Sequence, residues 1–274
     1  MQAAPKPVRL LTARAKTAPR SPAMRRVILS ILTFFVIIAP AAALVGGAPA
    51  VQGPHAAVMI VGSRGNSCTG IAVARDLVLT AAHCVPPGAD YKLVQFDSKR
   101  QPQLRDTQQI ARHPQFSQTA FDAHRATADV ALIRIANATS APPAPIHGER
   151  LKIAPGDRLT VMGYGLTRIG DGKSGGTLRS ATLMVTGQPG NLQIRLMDEA
   201  TRNQRPGLGA CTGDSGAPVL RDIGGRMMVV GVVSWSTAAG NEAGCGGLTG
   251  VTPLSLYYPW IVETARKLGT PLAP

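Results

Sequence analysis

Charged residues are scarce in this chain of 274 residues, and none are gathered into the long charged runs typical of exposed helices. Asp, Glu, Lys and Arg make up only 16% of the sequence, whereas glycine (30) and proline (22) are plentiful. This composition favours many short strands joined by tight turns. A chain of this length can bury a sizeable core within one β-rich domain.

The sequence also lacks the motifs of common metal sites. It has four cysteines without any Cys-x-x-Cys pair, and its five histidines include no His-Glu-x-x-His motif. Zinc sites usually depend on such spacings, so we expect neither a bound metal nor another cofactor.

A nucleic-acid partner is not expected either, although the formal charge is +14. Residues 1–43 hold seven Lys or Arg and no acid, which accounts for +7. The rest of the chain holds 22 basic and 15 acidic residues, which leaves +7 without an obvious basic block. No stacking or groove-reading motif accompanies this charge, so we interpret it as a solvated basic surface.

An apolar segment lies near the N-terminus. A pair of arginines at positions 25–26 precedes the apolar run 27–38, and alanines occupy positions 41–43. This order is typical of a secretory signal that is cleaved after a small residue. We therefore expect residues 1–43 to be an N-terminal extension with a signal peptide, the mature chain to begin at Leu44, and the protein to be secreted or periplasmic.

Two alternatives remain open for this segment. Residues 27–45 are nearly long enough to cross a bilayer, so an uncleaved segment would anchor the chain to a membrane. Residues 1–23 are either a cytoplasmic tail or the product of an upstream start codon, because Met24 begins a segment of ordinary signal length. The arginine pair also occurs in twin-arginine signals, for which it is weak support on its own.

Beyond residue 56, short apolar runs alternate with turn residues, as in a β-rich protein. The predicted strands are 57–61, 69–73, 77–79, 130–135, 159–162 and 227–233. A Pro-rich connector at 141–145 divides the body into two halves of similar size. Helical periodicity at positions 260, 261, 265 and 268 predicts a C-terminal helix that packs onto the body.

Three residues in separate segments can together activate a hydroxyl nucleophile. His83 follows an apolar strand, Asp129 directly precedes another, and Ser215 lies in a Gly-rich turn. A serine hydroxyl is a weak nucleophile until a base can take its proton and an acid holds that base in one tautomer. We predict that Ser215 is the nucleophile, His83 the base and Asp129 the orienting acid.

Other assignments are less well supported by the sequence. Asp122 is a rival acid, but no apolar strand follows it. The Gly-x-Ser-x-Gly elbow of α/β-hydrolases would need glycine at Ala217, a helix where Pro218 stands, and a catalytic histidine after the serine. The other histidines, at positions 55, 113, 124 and 147, lie in polar or turn-like contexts and are expected on the surface.

The chain resembles the chymotrypsin and trypsin family of serine proteases over essentially all of residues 44–274. The similarity is carried by Ala81-Ala82-His83-Cys84, Asp129-Val130-Ala131-Leu132, Gly213-Asp214-Ser215-Gly216-Ala217-Pro218, Ser234-Trp235 and Gly163-Tyr164-Gly165. The resemblance implies an all-β fold of two six-stranded antiparallel β-barrels with a C-terminal helix. The boundary between the two halves is expected near residues 141–150.

The resemblance also implies roles for residues around the nucleophile. The backbone N–H groups of Gly213 and Ser215 would form the oxyanion hole. Asp214 would pair with the α-amino group freed at Leu44, because the sequence from Leu44 to Gly47 looks like the family's Ile-Val-Gly-Gly start. Signal cleavage would then create the competent N-terminus without a separate propeptide.

An even number of cysteines in an exported chain indicates two disulfides, for which spacing alone allows three connectivities. The resemblance implies Cys68–Cys84, which would tether the histidine loop, and Cys211–Cys245, which would tie the serine turn to the wall of the specificity pocket. Closing each loop would contribute about 3–4 kcal/mol in the chain-entropy model.

The specificity pocket is also assigned by resemblance. Gly209, six residues before the nucleophile, would lie at its floor, where proteases that cleave after Lys or Arg carry an aspartate. Without a buried carboxylate, nothing offsets the desolvation of a cationic side chain. One wall would consist of Ser234, Trp235 and Ser236, and the opposite wall falls near Thr249 or Gly250. We expect cleavage after small to medium uncharged residues.

The sequence thus predicts a secreted, monomeric serine endopeptidase that acts on protein or peptide substrates through an acyl-enzyme. One alternative is a catalytically idle, protease-like binding protein that uses loops such as 165–180 for recognition. Another is the same protease held at a membrane by an uncleaved N-terminal segment.

Overall fold

The computed structural model describes residues 44–97, 101–123, 125–139, 142–186 and 191–272. The predicted signal segment and residue 124 lie outside the described residues. The first six strands are β1 (Ala57–Gly62), β2 (Ser67–Ala74), β3 (Leu77–Thr80), β4 (Tyr91–Phe96), β5 (Pro102–Arg112) and β6 (Ala131–Ile135). The next six are β7 (Arg158–Gly163), β8 (Arg179–Val185), β9 (Ile194–Met197), β10 (Pro218–Ile223), β11 (Arg226–Ser236) and β12 (Thr249–Pro253). The α-helices are α1 (Gln118–Asp122) and α2 (Tyr258–Lys267).

These strands form two closed barrels. The first has the order β1-β2-β3-β6-β5-β4 and the second β10-β11-β12-β9-β8-β7. All pairs within the barrels are antiparallel, and closure gives every strand a partner on both sides along part of its length. The predicted fold class is confirmed. The proposed boundary region, 141–150, falls in the connection between β6 and β7.

Each barrel has its own apolar core. Ile60, Leu93 and Ile133 are fully buried in the first barrel, and Leu159 and Leu196 are fully buried in the second. Side chains of this size each contribute about 1.5–3 kcal/mol when fully buried. The cores therefore hold both barrels closed and keep the loops at their ends in place.

A third apolar cluster joins the two barrels. Leu79 and Leu132 of the first barrel share this cluster with Val232 of the second and with Ile261 and Ala265 of α2. The face of α2 predicted from periodicity is the face that packs here, since Trp260 and Leu268 also contact this cluster. The cluster also includes Ala128 and Val130, the two neighbours of Asp129 in the sequence.

The expectation that the remaining histidines lie on the surface is wrong for His113. Its exposed fraction is 8%, and its ring centroid lies 5.0 Å from that of Tyr257 and 4.8 Å from that of Trp260. This burial lowers the pKa of His113 because the charged imidazolium is poorly solvated there. The polar local sequence gives no sign that a distant helix covers this residue.

Neither of the two α-helices in the described residues is long and apolar enough to cross a bilayer.

Candidate active site

His83 lies on a short 3-10 turn, Ala82–Cys84, just beyond the end of β3. The neighbouring Cys84 is joined by a disulfide to Cys68 on β2. The turn is therefore attached to the barrel on both sides, by the buried strand β3 and by the disulfide. The imidazole is mostly buried, with 13% of its surface exposed, and lines a cleft together with residues of the second barrel.

Asp129 holds His83 through two hydrogen bonds. The His83 Nδ1–H donates to Asp129 Oδ2 at 2.8 Å, and the backbone N–H of His83 donates to Oδ1 at 2.9 Å. Asp129 is completely buried, directly before β6. Because an ionised carboxylate only accepts, this geometry places the imidazole proton on Nδ1 and leaves Nε2 able to accept a proton.

Ser234 provides a third hydrogen bond to this carboxylate. Its hydroxyl donates to Asp129 Oδ2 at 2.6 Å, and Ser234 itself is buried. The bond crosses from the second barrel to the first, because Ser234 belongs to β11. A buried carboxylate is stable only when its oxygens are well hydrogen-bonded, and here three donors meet that need. Sequence reasoning placed Ser234 in the specificity pocket and missed this contact.

Ser215 lies in the loop that leads into β10. Its backbone C=O accepts a hydrogen bond from the N–H of Thr69 on β2 at 2.8 Å. The next residue, Gly216, has a positive φ of 77°, and a side chain there would collide with Thr80 Oγ1 and the carbonyl of Thr69. Glycine is therefore required for the serine loop to approach the first barrel this closely.

Thr69 also attaches the loop at Gly213. Its hydroxyl donates to the Gly213 carbonyl at 2.8 Å and accepts from the backbone N–H of Tyr164 at 3.0 Å. Gly213 has a φ of 95°, a conformation that glycine adopts readily and other residues rarely do. The loop is thus held by one buried hydroxyl of the opposite barrel, which no local sequence pattern indicates.

Asp214 is fully buried directly before the serine. Its Oδ1 accepts from the N–H of Gly165 at 2.8 Å, and its Oδ2 accepts from the N–H of Cys211 at 2.9 Å. No ion pair to Asp214 is formed within the described part of the chain. Burial raises the pKa of this carboxyl to about 7, because the two N–H groups only partly replace water.

The predicted mature N-terminus lies beside the same loop region. Leu44 is fully buried in the core of the second barrel, and Val45 forms an antiparallel bridge with Gly209. Gly46 packs so tightly on Gly207 that a Cβ would lie 2.5 Å from that residue's carbonyl carbon. The Leu44 side chain is therefore inserted into the second barrel, Val45 is partly buried, and Gly46 lies at the surface.

Ser215 and His83 line one cleft of about 310 Å³. Trp235, Gly213 and the Cys211 backbone lie along the same cleft. No hydrogen bond joins Ser215 Oγ to His83 Nε2 among the contacts of the described residues. Catalytic hydrogen bonds are commonly long without a substrate and shorten in the reactive complex.

Phe121 covers one face of His83. The two rings are stacked with centroids 4.3 Å apart and planes 18° from parallel. Phe121 belongs to α1, whose first turn is capped by the Ser117 hydroxyl accepting from the N–H of Ala120. Sequence reasoning missed this contact, because helix α1 is too short for a periodic pattern.

The rival acid Asp122 lies away from the imidazole. It is exposed at the end of α1, where Oδ1 accepts a hydrogen bond from Gln118 Nε2 at 2.9 Å. The neighbouring Phe121, not Asp122, faces His83.

The residues predicted to bound the specificity pocket are small or medium in size, except for Trp235. Gly209 is buried, and a Cβ there would lie 3.1 Å from Cα of Gly246. Ser236 is paired with Thr249 across β11 and β12, so their side chains share one face. Thr249 is fully buried, and its hydroxyl accepts from the N–H of Ala210 at 3.0 Å. On β12, Thr249 is thus the neighbour of Ser236 and Gly250 the neighbour of Trp235, and their place in the pocket wall stays a prediction.

The second disulfide joins Cys211 to Cys245. It links the start of the serine loop to the segment that precedes β12. Both sides of the loop that holds Ser215 are therefore fastened, one by the disulfide and the other by the hydrogen bonds from Thr69.

One group of possible metal ligands occurs in the described residues: Cys68, His83 and Cys84. It does not suit a metal ion, since both sulfurs belong to a disulfide and His83 Nδ1 is bonded to Asp129. Metal binding by cysteine requires a thiolate, which a disulfide cannot supply.

Two closed six-stranded barrels, with a His–Asp pair and a serine loop meeting at their junction, are the fold and site arrangement of chymotrypsin-like proteins. The family model described as Trypsin matches residues 44–261. The chain belongs to the trypsin family.

Curated relatives agree with this assignment at modest identity. A trypsin-like protease of Streptomyces glaucescens is 28% identical over 93% of this chain and 95% of its own length. Cathepsin G of Mus musculus is 27% identical over 88% of this chain and 92% of its own. Vitamin K-dependent protein C of Mus musculus is 26% identical over 84% of this chain, but the match spans only 53% of that longer protein.

Proposed function

We propose that this protein is a secreted serine endopeptidase that cleaves peptide bonds through a covalent acyl-enzyme. The observation that carries the proposal is the hydrogen-bonded His83–Asp129 pair in the same cleft as Ser215. Membership of the trypsin family and the serine proteases among its relatives support the same reaction.

In the proposed reaction, Ser215 Oγ attacks the substrate carbonyl carbon while His83 Nε2 takes its proton. The imidazolium then formed is stabilised by Asp129, which already accepts the Nδ1–H bond. Collapse of the tetrahedral intermediate breaks the C–N bond, and His83 returns the proton to the leaving amine. A water molecule, activated by the same histidine, hydrolyses the acyl-enzyme and restores the serine.

The negative charge on the tetrahedral intermediate needs donors fixed in advance. The N–H groups of Gly213 and Ser215 are proposed for this role, and the bonds from Thr69 to the same two residues hold the loop in place. Losing one such donor typically costs about 2.7–4 kcal/mol of transition-state stabilisation.

The proposed preference is for small to medium uncharged residues before the scissile bond. Gly209 brings no carboxylate to the pocket, so a lysine or arginine side chain would be desolvated without a partner. The buried side chain of Thr249 occupies space opposite Ser236, which disfavours large aromatic residues.

Export is proposed from the N-terminal sequence together with two disulfides, which persist in oxidising compartments. Cleavage after Ala43 would free the α-amino group of Leu44. The insertion of Leu44 into the second barrel and the complete burial of the Asp214 carboxyl support an ion pair between these two residues in the mature chain, because a buried carboxylate is stabilised by a cation.

Labelling with a fluorophosphonate tests the proposed function. The processed protein should be labelled and should cleave peptides with alanine or valine before the scissile bond, whereas Ser215→Ala should do neither. Ser236→Ala is the matched serine variant: it removes a hydroxyl from the same cleft but keeps the nucleophile, so it should still be labelled. If the protein is folded and correctly processed but is not labelled, the protease proposal fails. The catalytically idle binding protein is then the remaining candidate.

A further inference from the structure

Trp235, Gly250 and Arg195 occupy directly opposite positions on three neighbouring strands. Trp235 of β11 pairs with Gly250 of β12, and Gly250 pairs with Arg195 of β9. Residues opposite each other on adjacent antiparallel strands project to the same face of a sheet. The side chains of Trp235 and Arg195 therefore lie on one face, separated only by a glycine.

The absence of a side chain at Gly250 brings these two groups together. A Cβ at this position would overlap the Trp235 indole, so the ring lies directly on the Gly250 backbone. The Arg195 guanidinium carbon lies 6.0 Å from the centre of the Trp235 ring, within the range of a cation–π contact. Trp235, a residue that lines the catalytic cleft, thus has a cation beside its indole ring.

The charge of Arg195 is not neutralised within the described residues. Arg195 is exposed and forms no ion pair there. The two nearest acids along the chain are engaged elsewhere: Asp198 is 8% exposed and accepts from the N–H of Ala200, and Glu199 binds Arg158 at 2.8 Å. The cation at the end of the indole is therefore available to a ligand.

A substrate would reach this cation along β11. β10 begins at Pro218 and pairs with β11 only as far as Val232, so residues 234–236 have β12 on one side and the catalytic cleft on the other. An extended peptide can add to such a free strand edge through main-chain hydrogen bonds. Its residues N-terminal to the scissile bond would run from Ser234 towards Ser236 and cross the indole.

We propose that Arg195 and Trp235 form a subsite that selects an acidic side chain at the third or fourth substrate residue before the scissile bond. This inference rests on the proposed protease function and names its substrate class. The guanidinium can bind a carboxylate through two parallel N–H···O bonds, and stacking on the indole limits its freedom before the substrate arrives. The protease would thus select an acidic residue at the third or fourth position before the scissile bond. This selection is in addition to its proposed preference for a small to medium uncharged residue immediately before that bond.

The test compares peptides that differ only at the third and fourth residues before the scissile bond. Three fluorogenic peptides carry Glu, Gln or Lys there and share a small uncharged residue before the scissile bond. For the natural protein we expect kcat/KM to be about three- to tenfold higher for the Glu peptide than for the Gln peptide. The ratio should fall towards one in about 1 M salt, where the Debye length is about 3 Å.

Variants of Arg195 separate this subsite from general charge effects. Arg195→Gln should abolish the Glu preference, and Arg195→Glu should invert it in favour of the Lys peptide. Arg226→Gln is the matched control: it removes one positive charge from the opposite end of β11 and should keep the Glu preference.

Two results would overturn the inference: equal kcat/KM for the Glu and Gln peptides in the natural protein, or a Glu preference that survives in Arg195→Gln. Either would leave the protease proposal intact, because fluorophosphonate labelling and cleavage of the Gln peptide report on that proposal separately. If the natural protein is neither labelled nor able to cleave any of the three peptides, both the protease proposal and the subsite fail.

Discussion

Asp129 illustrates how much a single residue of the site depends on its partners. Its carboxylate is completely buried and accepts hydrogen bonds from the backbone N–H of His83, from His83 Nδ1 and from the Ser234 hydroxyl. Two of these donors come from the first barrel and one from the second. The orientation of His83 therefore depends on a contact made by a residue of β11, more than a hundred positions away in sequence.

Ser234→Ala tests this contact. The variant leaves one lone pair of a buried carboxylate without its donor, and hydrogen bonds to charged groups are worth about 1.5–3 kcal/mol. We expect the free energy of unfolding to fall by about that amount, measured by urea denaturation. We also expect kcat to fall with little change in KM, because the loss concerns the histidine and not substrate binding.

Ser236→Ala is a suitable comparison, since it removes a hydroxyl from the same strand. That hydroxyl donates to the neutral carbonyl of Gly244 at 3.1 Å and does not touch Asp129. Its cost in stability should be smaller, about 0.5–1.5 kcal/mol. Equal losses in the two variants would contradict a special role for Ser234.

At the scale of elements, α1 brings an aromatic ring onto the histidine. The helix has only five residues, and its position depends on its cap and on the bond from the Ser117 N–H to Thr127 Oγ1 at 2.8 Å. These contacts place Phe121 flat against His83, at the edge of the cleft that also contains Trp235. The helix thus limits the space available next to the imidazole.

Phe121→Ala should enlarge this space. We compare peptides with a bulky residue and with glycine immediately before the residue that enters the specificity pocket. We expect kcat/KM for the bulky peptides to rise about tenfold relative to the glycine peptides, at the low end of the range for hydrophobic pocket contacts. Competition between the two peptides in one reaction measures the ratio directly.

Ser117→Ala should change the same ratio in the same direction but less, because losing a helix cap costs about 0.5–2 kcal/mol and loosens the helix without removing the ring. Phe116→Leu is a control: the ring of Phe116 contacts Phe121 at 6.3 Å and packs on the first barrel, and leucine keeps an apolar side chain there without uncovering His83. An unchanged ratio in Phe121→Ala would show that the ring does not limit the substrate.

At the scale of the whole molecule, we expect the serine loop to depend on the position of the N-terminus. Leu44 lies in the core of the second barrel, and Asp214 is buried beside the serine with a pKa raised to about 7. A buried carboxyl without a cation is protonated more readily than in water, whereas a nearby α-amino group would favour the ionised form. The position of the N-terminus should therefore alter the pH dependence of stability.

We predict a different pH profile for chains that begin at Leu44 and at Ala43. In the chain that retains Ala43, the amino group is displaced and Asp214 keeps its raised pKa. Since the unfolded carboxyl has a pKa of 3.8, the folded form alone holds this proton between about pH 4 and 7. Stability should therefore fall as pH rises through this window, by up to about 4 kcal/mol at 1.36 kcal/mol per pKa unit.

The chain that begins at Leu44 should lack most of this loss, because the ion pair lowers the pKa of Asp214. Urea denaturation at several pH values measures both profiles. Asp214→Asn in the Ala43 chain removes the titrating group and should flatten its profile between pH 4 and 7. Identical profiles for the two natural-sequence chains would contradict the proposed ion pair.

Much of the fold could be predicted because its signals are local. Short apolar runs between turns predicted six of the twelve strands in the described residues, namely β1, β2, β3, β6, β7 and β11. The positions of Trp260, Ile261, Ala265 and Leu268 predicted the packed face of α2. The residues around His83, Asp129 and Ser215 were recognisable as contiguous strings, and the structure brings all three segments to one junction. Their catalytic roles remain predictions until the variants are measured.

Contacts between the barrels could not be predicted in the same way. The hydroxyl of Thr69 binds a carbonyl in the serine loop, Ser234 binds Asp129, and α2 buries His113. Each contact joins residues far apart in the chain, and each depends on the register in which strands pair. Periodicity shows which side of a strand is apolar, but it carries no information about which polar residue of another element will face it.

The sequence alone therefore predicts the order and the proposed chemistry of the site, because each proposed catalytic group lies in a short segment whose neighbours mark it. The tertiary structure decides how those groups are held and what surrounds them. Strand register places Gly250 between Trp235 and Arg195, and closure of two barrels brings Ser234 to Asp129. Distances of a few ångströms between such residues are set by packing of the whole domain, which no local pattern encodes.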